Sequence, residues 1–532
     1  MKRMKYVGKS TFALVLSMLL SMMLLGACGS TGTTGDEPGG SAATPEQAGD
    51  GPKQEISVSM FDRGKVPTEE GTYENNRWTK WINENSPVTV NWVPVTRSQA
   101  QAKLNALIAA GEAPDLIWEY DRNYISQLAN QGAIQPIGDY IEKYSTTYKA
   151  YLEKHPELEP YLKFNGEVYA VSFARETLAN HGMWIRQDWL DKQGLKAPTT
   201  VEELIDVARK FKEGDPDGNG QADTVPIAMS NSANAIDQAL FFTSENQWYI
   251  EDGKMQFGRT VDRHADTLGF QKQLFDEGLI DREYITDTNF QRSAQLLTTG
   301  KAGIYFGNWD IEELNGNLVK NDPNAKLVPL ESVSSKYGKN GLYQEAPPSI
   351  FTAFNSQMKE EEIKAAIEFI DWMLEDGWVP LRYGEENVHY TMVDGVRQKT
   401  DPEQFQREVA YASEYAIVMD NVLKPEMFPA MAAKDEVSQS YAKEKGKSLE
   451  IAMKNKYRRD IAYNPDFPEL SQLIATFSPI AQQIEAKVIT GGGSMSPADG
   501  LNELRKEWKR LGGENVEKLA QEWYEANKDN LK

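Results

Sequence analysis

The chain has 532 residues, with 79 Asp and Glu against 57 Lys and Arg, for a net charge of −22. So acidic a surface argues against nucleic acid as a partner and against direct docking on anionic lipid. A single cysteine excludes a disulfide within the chain.

That cysteine sits in "LLGACGS", Leu24 to Ser30. The first nine residues carry Lys2, Arg3, Lys5 and Lys9 and no acid, and Thr11 to Leu25 is almost wholly apolar. A charged start, an apolar middle and a small-residue end make residues 1–27 a secretory signal. The apolar run falls short of the roughly 20 residues of a membrane span, and Gly26 ends it. Leu25-Gly26-Ala27-Cys28 resembles the bacterial lipobox, in which cleavage falls before the cysteine and its sulfur takes up lipid, palmitate among the acyl groups. Cys28 is the expected lipidation site, and the membrane is reached through that anchor only. Residues 28–54 are rich in Gly, Ser, Thr and Pro and have no apolar period, so they read as a tether with a reach of roughly 25–30 Å. Loss of residues 1–27 moves the charge from −22 to −26.

About 480 residues remain, enough for two or more domains. "EISVSMF" (Glu55–Phe61) alternates like a strand, "RWTKWINENS" has helical spacing, and "VTVNWVPV" is strand again. "SQAQAKLNALIAAGEAPDLIW" reads as a helix ending near Gly111, then a buried strand from Asp115 to Trp118. Asn165-Gly166 is a hairpin signal. This alternation predicts an α/β lobe with a largely parallel sheet, over residues 55–175 plus 333–385. A second lobe takes 176–332 plus 386–532. There Thr200 is the expected N-cap of a long helix, with Glu203 at the capping-box position. "KAGIYFGNW" (Lys301–Trp309) is a buried strand, and "SIFTAFN" is a strand returning to the first lobe. The tail from about Ser471 is helical, interrupted at "TGGGSMSPADG".

The order and spacing of "FDRGKVPTEEGTYENNRWTKWIN", "GEAPDLIW", "NGEVYAV", "MWIRQDWLDKQGLKAPTTVEEL", "DPDGNGQADTVP", "GKAGIYFGNW" and "YGEENVHY" resemble the extracellular solute-binding proteins of ABC sugar importers. The likeness is greatest to the long Gram-positive lipoprotein branch related to alginate-binding proteins. "APDLIW" before "YDR" is also similar to a ligand-contacting strand end of maltose-binding proteins. The resemblance implies an α/β, two-lobe periplasmic-binding-protein-like fold (type II) with the ligand in the cleft between lobes. It implies an oligosaccharide ligand, neutral or uronate-containing, ABC permease subunits as partners, a monomer, and a place on the outer face of the cytoplasmic membrane.

In an open α/β sheet, ligands bind beyond the carboxyl ends of strands. Asp62 and Arg63 follow the first strand, and Trp118, Tyr120, Asp121 and Arg122 follow another. Trp184 and Arg186 open the second lobe, and Trp248 and Trp309 add rings there. Aromatic planes cover sugar faces, while charged and amide groups take the hydroxyls. Any of these tryptophans could instead be core, as expected for Trp78, Trp81, Trp189 and Trp372 on helical patterns. Tyr383 and His389 of "YGEENVHY" are motif residues of the resemblance, or else hinge packing.

"DPDGNGQAD" places Asp215, Asp217, Asn219 and Asp223 at positions 1, 3, 5 and 9 of an EF-hand-type loop, with the Gln221 carbonyl at 7 and Gly220 at the sharp turn. Pro226 at position 12 supplies no carboxylate, and a polar surface turn explains the same composition. The resemblance favours calcium: alginate-binding proteins close such a loop with an acid directly after position 9, where this chain has Thr224.

The competing function is a secreted glycosidase or lyase, since any acid-rich chain contains carboxylates that can pair. No HExxH or GxSxG occurs, and "VGKS" at 7–10 lacks the earlier glycines of a P-loop. ATP hydrolysis then falls to a separate subunit. The binding protein is the reading adopted. Cys28→Ala should abolish lipid attachment and shift the protein from the membrane fraction to the medium or leave its signal uncut. Wild-type and variant proteins of equal mass, both kept at the membrane, would refute the anchor.

Overall fold

The computed structural model describes residues 52–531 other than 165, 232–235 and 433. The signal, Cys28 and the tether up to residue 51 lie outside the described residues. The strands that build the two main sheets are, in chain order, β1 (Glu55–Asp62), β2 (Thr89–Thr96), β3 (Leu116–Glu119), β4 (Ala170–Val171), β5 (His181–Arg186), β6 (Ile227–Ala228), β7 (Ile304–Asn308), β8 (Leu327–Leu330) and β9 (Phe351–Phe354). The helices that matter below are α1 (Arg77–Asn85), α2 (Ala100–Ala110), α3 (Arg122–Asn130), α4 (Val201–Glu213), α5 (His264–Asp276), α6 (Glu436–Lys454), α7 (Pro468–Thr490), α8 (Pro497–Arg510) and α9 (Gly513–Asn527).

Local chemistry sets the helix ends. The Asn76 side chain accepts from the Trp78 and Thr79 amides at 2.8 and 3.2 Å, and the Thr79 hydroxyl accepts from the Asn76 amide at 3.0 Å, which closes the first turn of α1. Gly111, at φ 73°, ends α2 in the left-handed conformation that glycine tolerates. The Thr200 hydroxyl accepts from the Glu203 amide at 3.2 Å, as expected of an N-cap. The Glu203 carboxylate reaches back one residue further than expected, to the Thr199 amide at 2.7 Å.

The first sheet runs β2-β1-β3-β9-β4. β2, β1 and β3 are parallel, and β9 returns antiparallel between β3 and β4, so the sheet is parallel only on one side. "SIFTAFN" thus does come back to the first lobe. The second sheet runs β8-β5-β7-β6, with β5 antiparallel to both neighbours and β7 parallel to β6. Lys163–Phe164 and Glu167–Val168 pair as the expected hairpin.

Each sheet anchors its own hydrophobic core. The first core runs from Ile56 to Phe173 and resumes from Ile350 to Met419. The second runs from Met183 to Leu342 and resumes from Ile461 to Leu531. Residues Tyr390, Phe405 and Val409–Met419 therefore pack in the first lobe, where the sequence reading had put 386–532 in the second. The reason is apolar: Tyr411 and Tyr415 are wholly buried there, and the Tyr415 ring lies 4.8 Å from that of Trp92.

Two tryptophans expected in the cleft are core instead. Trp118 is 3% exposed and packs at 5.6 Å on Phe61. Trp184 is fully buried, stacks at 6.0 Å on Tyr441 of α6, and donates its indole N–H to the Asn308 carbonyl at 3.0 Å. Trp78 and Trp189 are buried, and Trp81 and Trp372 pack half-buried, as expected. Trp184→Ala should cost about 3–5 kcal/mol of stability, read as a lowered melting temperature, while the folded fraction keeps its ligand affinity. Undiminished stability with lost binding would return Trp184 to the ligand.

Candidate site between the lobes

The chain passes between the cores along residues 174–180 and 343–349, which lie side by side as an antiparallel ribbon. Ala174 bridges Pro348, and Ala179 bridges Gln344. The Arg175 amide donates to the Pro347 carbonyl at 3.0 Å and the Glu345 amide to the Leu178 carbonyl at 2.8 Å. Two later passages fasten to this ribbon. The Leu423 amide donates to the Glu176 carbonyl at 2.8 Å, and the Arg459 guanidinium donates to the Gln344 carbonyl at 2.7 Å. The end of β7 abuts it too, since the Trp309 amide donates to the Asn180 carbonyl at 3.2 Å.

A cavity of about 360 Å³ lies against the ribbon. Tyr120, Arg122 and Tyr161 wall it from the first lobe and Trp248 from the second, with Arg459 and Tyr463 of the last passage between the lobes. Arg175, Tyr343 and Glu345 of the ribbon form its floor. Three guanidinium groups thus face one carboxylate. Arg122 donates to the Tyr161 and Lys163 carbonyls at 3.0 and 2.7 Å. Its guanidinium lies 3.6 Å from the Tyr463 ring centroid and 4.3 Å from that of Phe164. Burial brings its pKa down to about 10, so it stays charged at neutral pH. Arg175 donates to the Ala346 carbonyl at 3.1 Å and stands 3.8 Å from Glu345. Glu345 also accepts from Asn180 at 2.5 Å.

On the first lobe, Tyr120 stacks on Phe61 at 5.6 Å, with the Arg97 guanidinium 5.0 Å from its centroid. Arg63 donates to the Tyr120 hydroxyl at 3.3 Å but is paired with Glu414 at 2.8 Å. Asp62 accepts from the Gly64 amide at 2.8 Å, and Asp121 caps α3 through the Asn123 amide at 2.9 Å. Arg186, expected at the ligand, is 1% exposed and held by Asp188 and Asp322 at 2.6 and 2.7 Å, so it is structural. Trp248 borders the cavity, yet is only 2% exposed and wedged against Phe257 and Trp508. Tyr383 is buried with its hydroxyl on Asn421 at 3.0 Å, and His389 is buried beside Glu408 at 3.3 Å; both take the packing alternative.

Trp309 is half-buried, 5.9 Å from Phe428. Phe428 belongs to a further cavity of about 810 Å³, which Lys399, Tyr441 and Lys445 also line. Near it, Glu176 takes Arg382 at 3.1 and 2.7 Å. Sequence reasoning missed Arg175, Glu345, Arg459 and Tyr463, all in irregular segments that carry no period.

The Asp215 loop has the expected turns, with Gly218 and Gly220 both at φ 72°. Asn219 donates to Asp217 and Asp223 at 2.8 and 3.0 Å, and Lys301 pairs with Asp223 at 2.8 Å. Asp215 Oδ2 accepts from the Gly220 amide at 3.1 Å, and Asp215 Oδ1 is buried without a partner. Among the described residues no three His, Cys, Asp or Glu side chains gather closely enough to hold a metal ion.

Residues 67–380, more than half of the chain, match the profile of the bacterial extracellular solute-binding proteins. Two curated relatives span most of it. The polygalacturonan/rhamnogalacturonan-binding protein YtcQ of Bacillus subtilis is 26% identical over 373 residues, which are 68% of this chain and 72% of that one. The fructooligosaccharide ABC transporter substrate-binding protein FusA of Streptococcus pneumoniae is 28% identical over 381 residues, 67% and 68% of the two chains. A solute-binding protein associated with an HMO-binding ABC transporter of Bifidobacterium longum infantis shares the fold with a TM-score of 0.70 at 21% identity, over 90% of this chain and 100% of that one. The alginate-binding protein AlgQ2, solved without calcium ion, shares it with a TM-score of 0.64 at 19% identity, over 89% and 98%. These are binding proteins, which removes the glycosidase or lyase alternative. The chain belongs to the bacterial extracellular solute-binding proteins and is built on their two-lobe fold.

Proposed function

We propose that the protein is the lipid-anchored, extracellular binding component of an ABC importer and that it carries an acidic oligosaccharide to the permease. One observation carries the choice of ligand. In a chain of net charge −22, the cavity between the lobes sets Arg122, Arg175 and Arg459 against the single carboxylate of Glu345. Guanidinium groups meet a sugar carboxylate with paired, charge-assisted hydrogen bonds, and tyrosines beside them offer ring faces and hydroxyls to the pyranose. YtcQ is named a polygalacturonan/rhamnogalacturonan-binding protein, and polygalacturonan is a polymer of a sugar acid, which agrees with this chemistry. Calorimetry with trigalacturonate and with a neutral trisaccharide tests it. Trigalacturonate should bind, the neutral sugar poorly, and Arg175→Gln or Arg459→Gln should weaken binding roughly 10- to 150-fold, the effect of losing a hydrogen bond to a charged group. Equal affinity for both sugars, unmoved by either variant, would show the arginines to be structural.

Calcium at the Asp215 loop is the second part of the proposal. One observation supports an ion there: Asp215 Oδ1 is buried without a hydrogen-bond partner. Asp215, Asp217, Asp223 and the Asn219 and Gln221 carbonyl oxygens would hold it, once Asn219 turns its amide and Asp223 yields Lys301. The ion would brace the loop after α4 and take no part in ligand binding. At a hundred times its dissociation constant, calcium would add about 2.7 kcal/mol. The melting temperature should rise from chelator to millimolar calcium, and Asp217→Ala should abolish the rise. No shift in the wild type would exclude the ion.

A further inference from the structure

The strand β3 reads "LIWE", three apolar residues and then an acid. It lies between β1 and β9 in the middle of the first sheet, and the acid, Glu119, is wholly buried. Glu119 Oε1 accepts from the Tyr120 amide at 2.7 Å and from the Asp121 amide at 3.2 Å. Arg97, just past the end of β2, comes within 3.8 Å of the same oxygen, but its side chain is 46% exposed. Glu119 Oε2 is buried without a hydrogen-bond partner. Burial pushes the carboxyl above the usual carboxylate range.

A buried carboxylate with one orphaned oxygen costs stability, and an apolar side chain would fill the same place at less cost. What the carboxylate supplies is an acceptor. Tyr120 and Asp121 stand after the last residue of β3 and before the first of α3, past the ladder and ahead of the helix. Their amides are the two that Glu119 takes. The turn held in this way carries Tyr120 and Arg122, and both line the cavity between the lobes, whereas Glu119 does not. The Tyr120 ring is further held nearly parallel to Phe61, at 7°. Two backbone bonds to one oxygen thus set where a ring and a guanidinium enter the cavity before any ligand arrives.

We infer that Glu119 is a positioning residue, which fixes the Tyr120–Asp121 turn so that Tyr120 and Arg122 are ordered in advance of binding. The clamp stands on the free protein alone, while its effect on an acidic sugar rests on the reading above. Glu119→Gln keeps an acceptor in the same place without the charge. Glu119→Met keeps an unbranched side chain without the acceptor.

Residue-resolved hydrogen exchange of the ligand-free protein and calorimetry with trigalacturonate test the two parts. The Tyr120 and Asp121 amides should exchange slowly in the wild type and in Glu119→Gln, and at least about tenfold faster in Glu119→Met. Affinity should fall roughly 5- to 150-fold in Glu119→Met, as expected when two side chains must be ordered at the moment of binding, and Glu119→Gln should restore most of it. Fast exchange of both amides in the wild type overturns the clamp with no variant needed, so a Glu119→Met chain that does not fold leaves the clamp testable. A lowered melting temperature in Glu119→Met with unaltered affinity makes Glu119 structural only. Equal losses in the two variants show that the charge matters and the acceptor does not, which also overturns the inference. If trigalacturonate does not bind the wild type, the acidic reading falls, and the exchange pattern decides the clamp by itself.

Discussion

Two large hydrophobic cores, each closed on its own sheet, are joined by a ribbon of backbone hydrogen bonds, and the site depends on that separation. Ala462 and Tyr463 are partly buried residues that pack against both cores. Close packing makes each core resist deformation, so relative motion falls to the thin passages between them. Backbone bonds such as those between Arg175 and Pro347 can persist while torsions on either side of them change. A ligand that touches both lobes binds the closed arrangement more tightly than the open one, and shifts the population by that difference. Tyr120, Arg122, Arg459 and Tyr463 all line one cavity, and the Arg122 guanidinium stacked on the Tyr463 ring already bridges it.

Electrostatics at two distances act in opposite directions. The excess of acids over the whole chain disfavours an anion far from the protein, but salt screens exposed charges beyond about 8 Å at physiological ionic strength. At contact, a sugar carboxylate 4 Å from a guanidinium gains about 4 kcal/mol at an effective dielectric of 20, before desolvation is counted. For the acidic ligand proposed above, these groups would act at contact, where salt screens little. Arg122 is prepared for this: its rings and carbonyl partners hold the guanidinium in place without neutralising it.

Much of the fold was legible because its signals are local. The strand at Glu55, the helix stop at Gly111, the Thr200 cap and the return of Phe351–Phe354 all depend on residues close in sequence. The site was less legible, because burial is decided by distant partners. Trp184 looks like a strand-end platform until Tyr441 covers it from more than 250 residues away. Trp248 is covered in the same way by Trp508, and Arg186 is neutralised by Asp322. Tyr120 and Arg122 follow a strand and line the cavity, which is where open α/β sheets present residues to a cleft. Arg459 and Tyr463 lie in a stretch with neither helical nor strand period, where no pattern separates a binding loop from a linker. The lobe assignment of residues 390–419 failed likewise, since only tertiary contact shows which core Tyr411 and Tyr415 enter.

The central claim is that the two lobes close about an acidic sugar held by arginines on both sides of the ribbon. Small-angle X-ray scattering of the soluble protein, with and without saturating trigalacturonate, tests it most directly. The account predicts a smaller radius of gyration with the sugar, and no such change in the Arg122→Gln, Arg459→Gln double variant at the same concentration. A radius unchanged in the wild type, with calorimetry showing the site to be full, would contradict it.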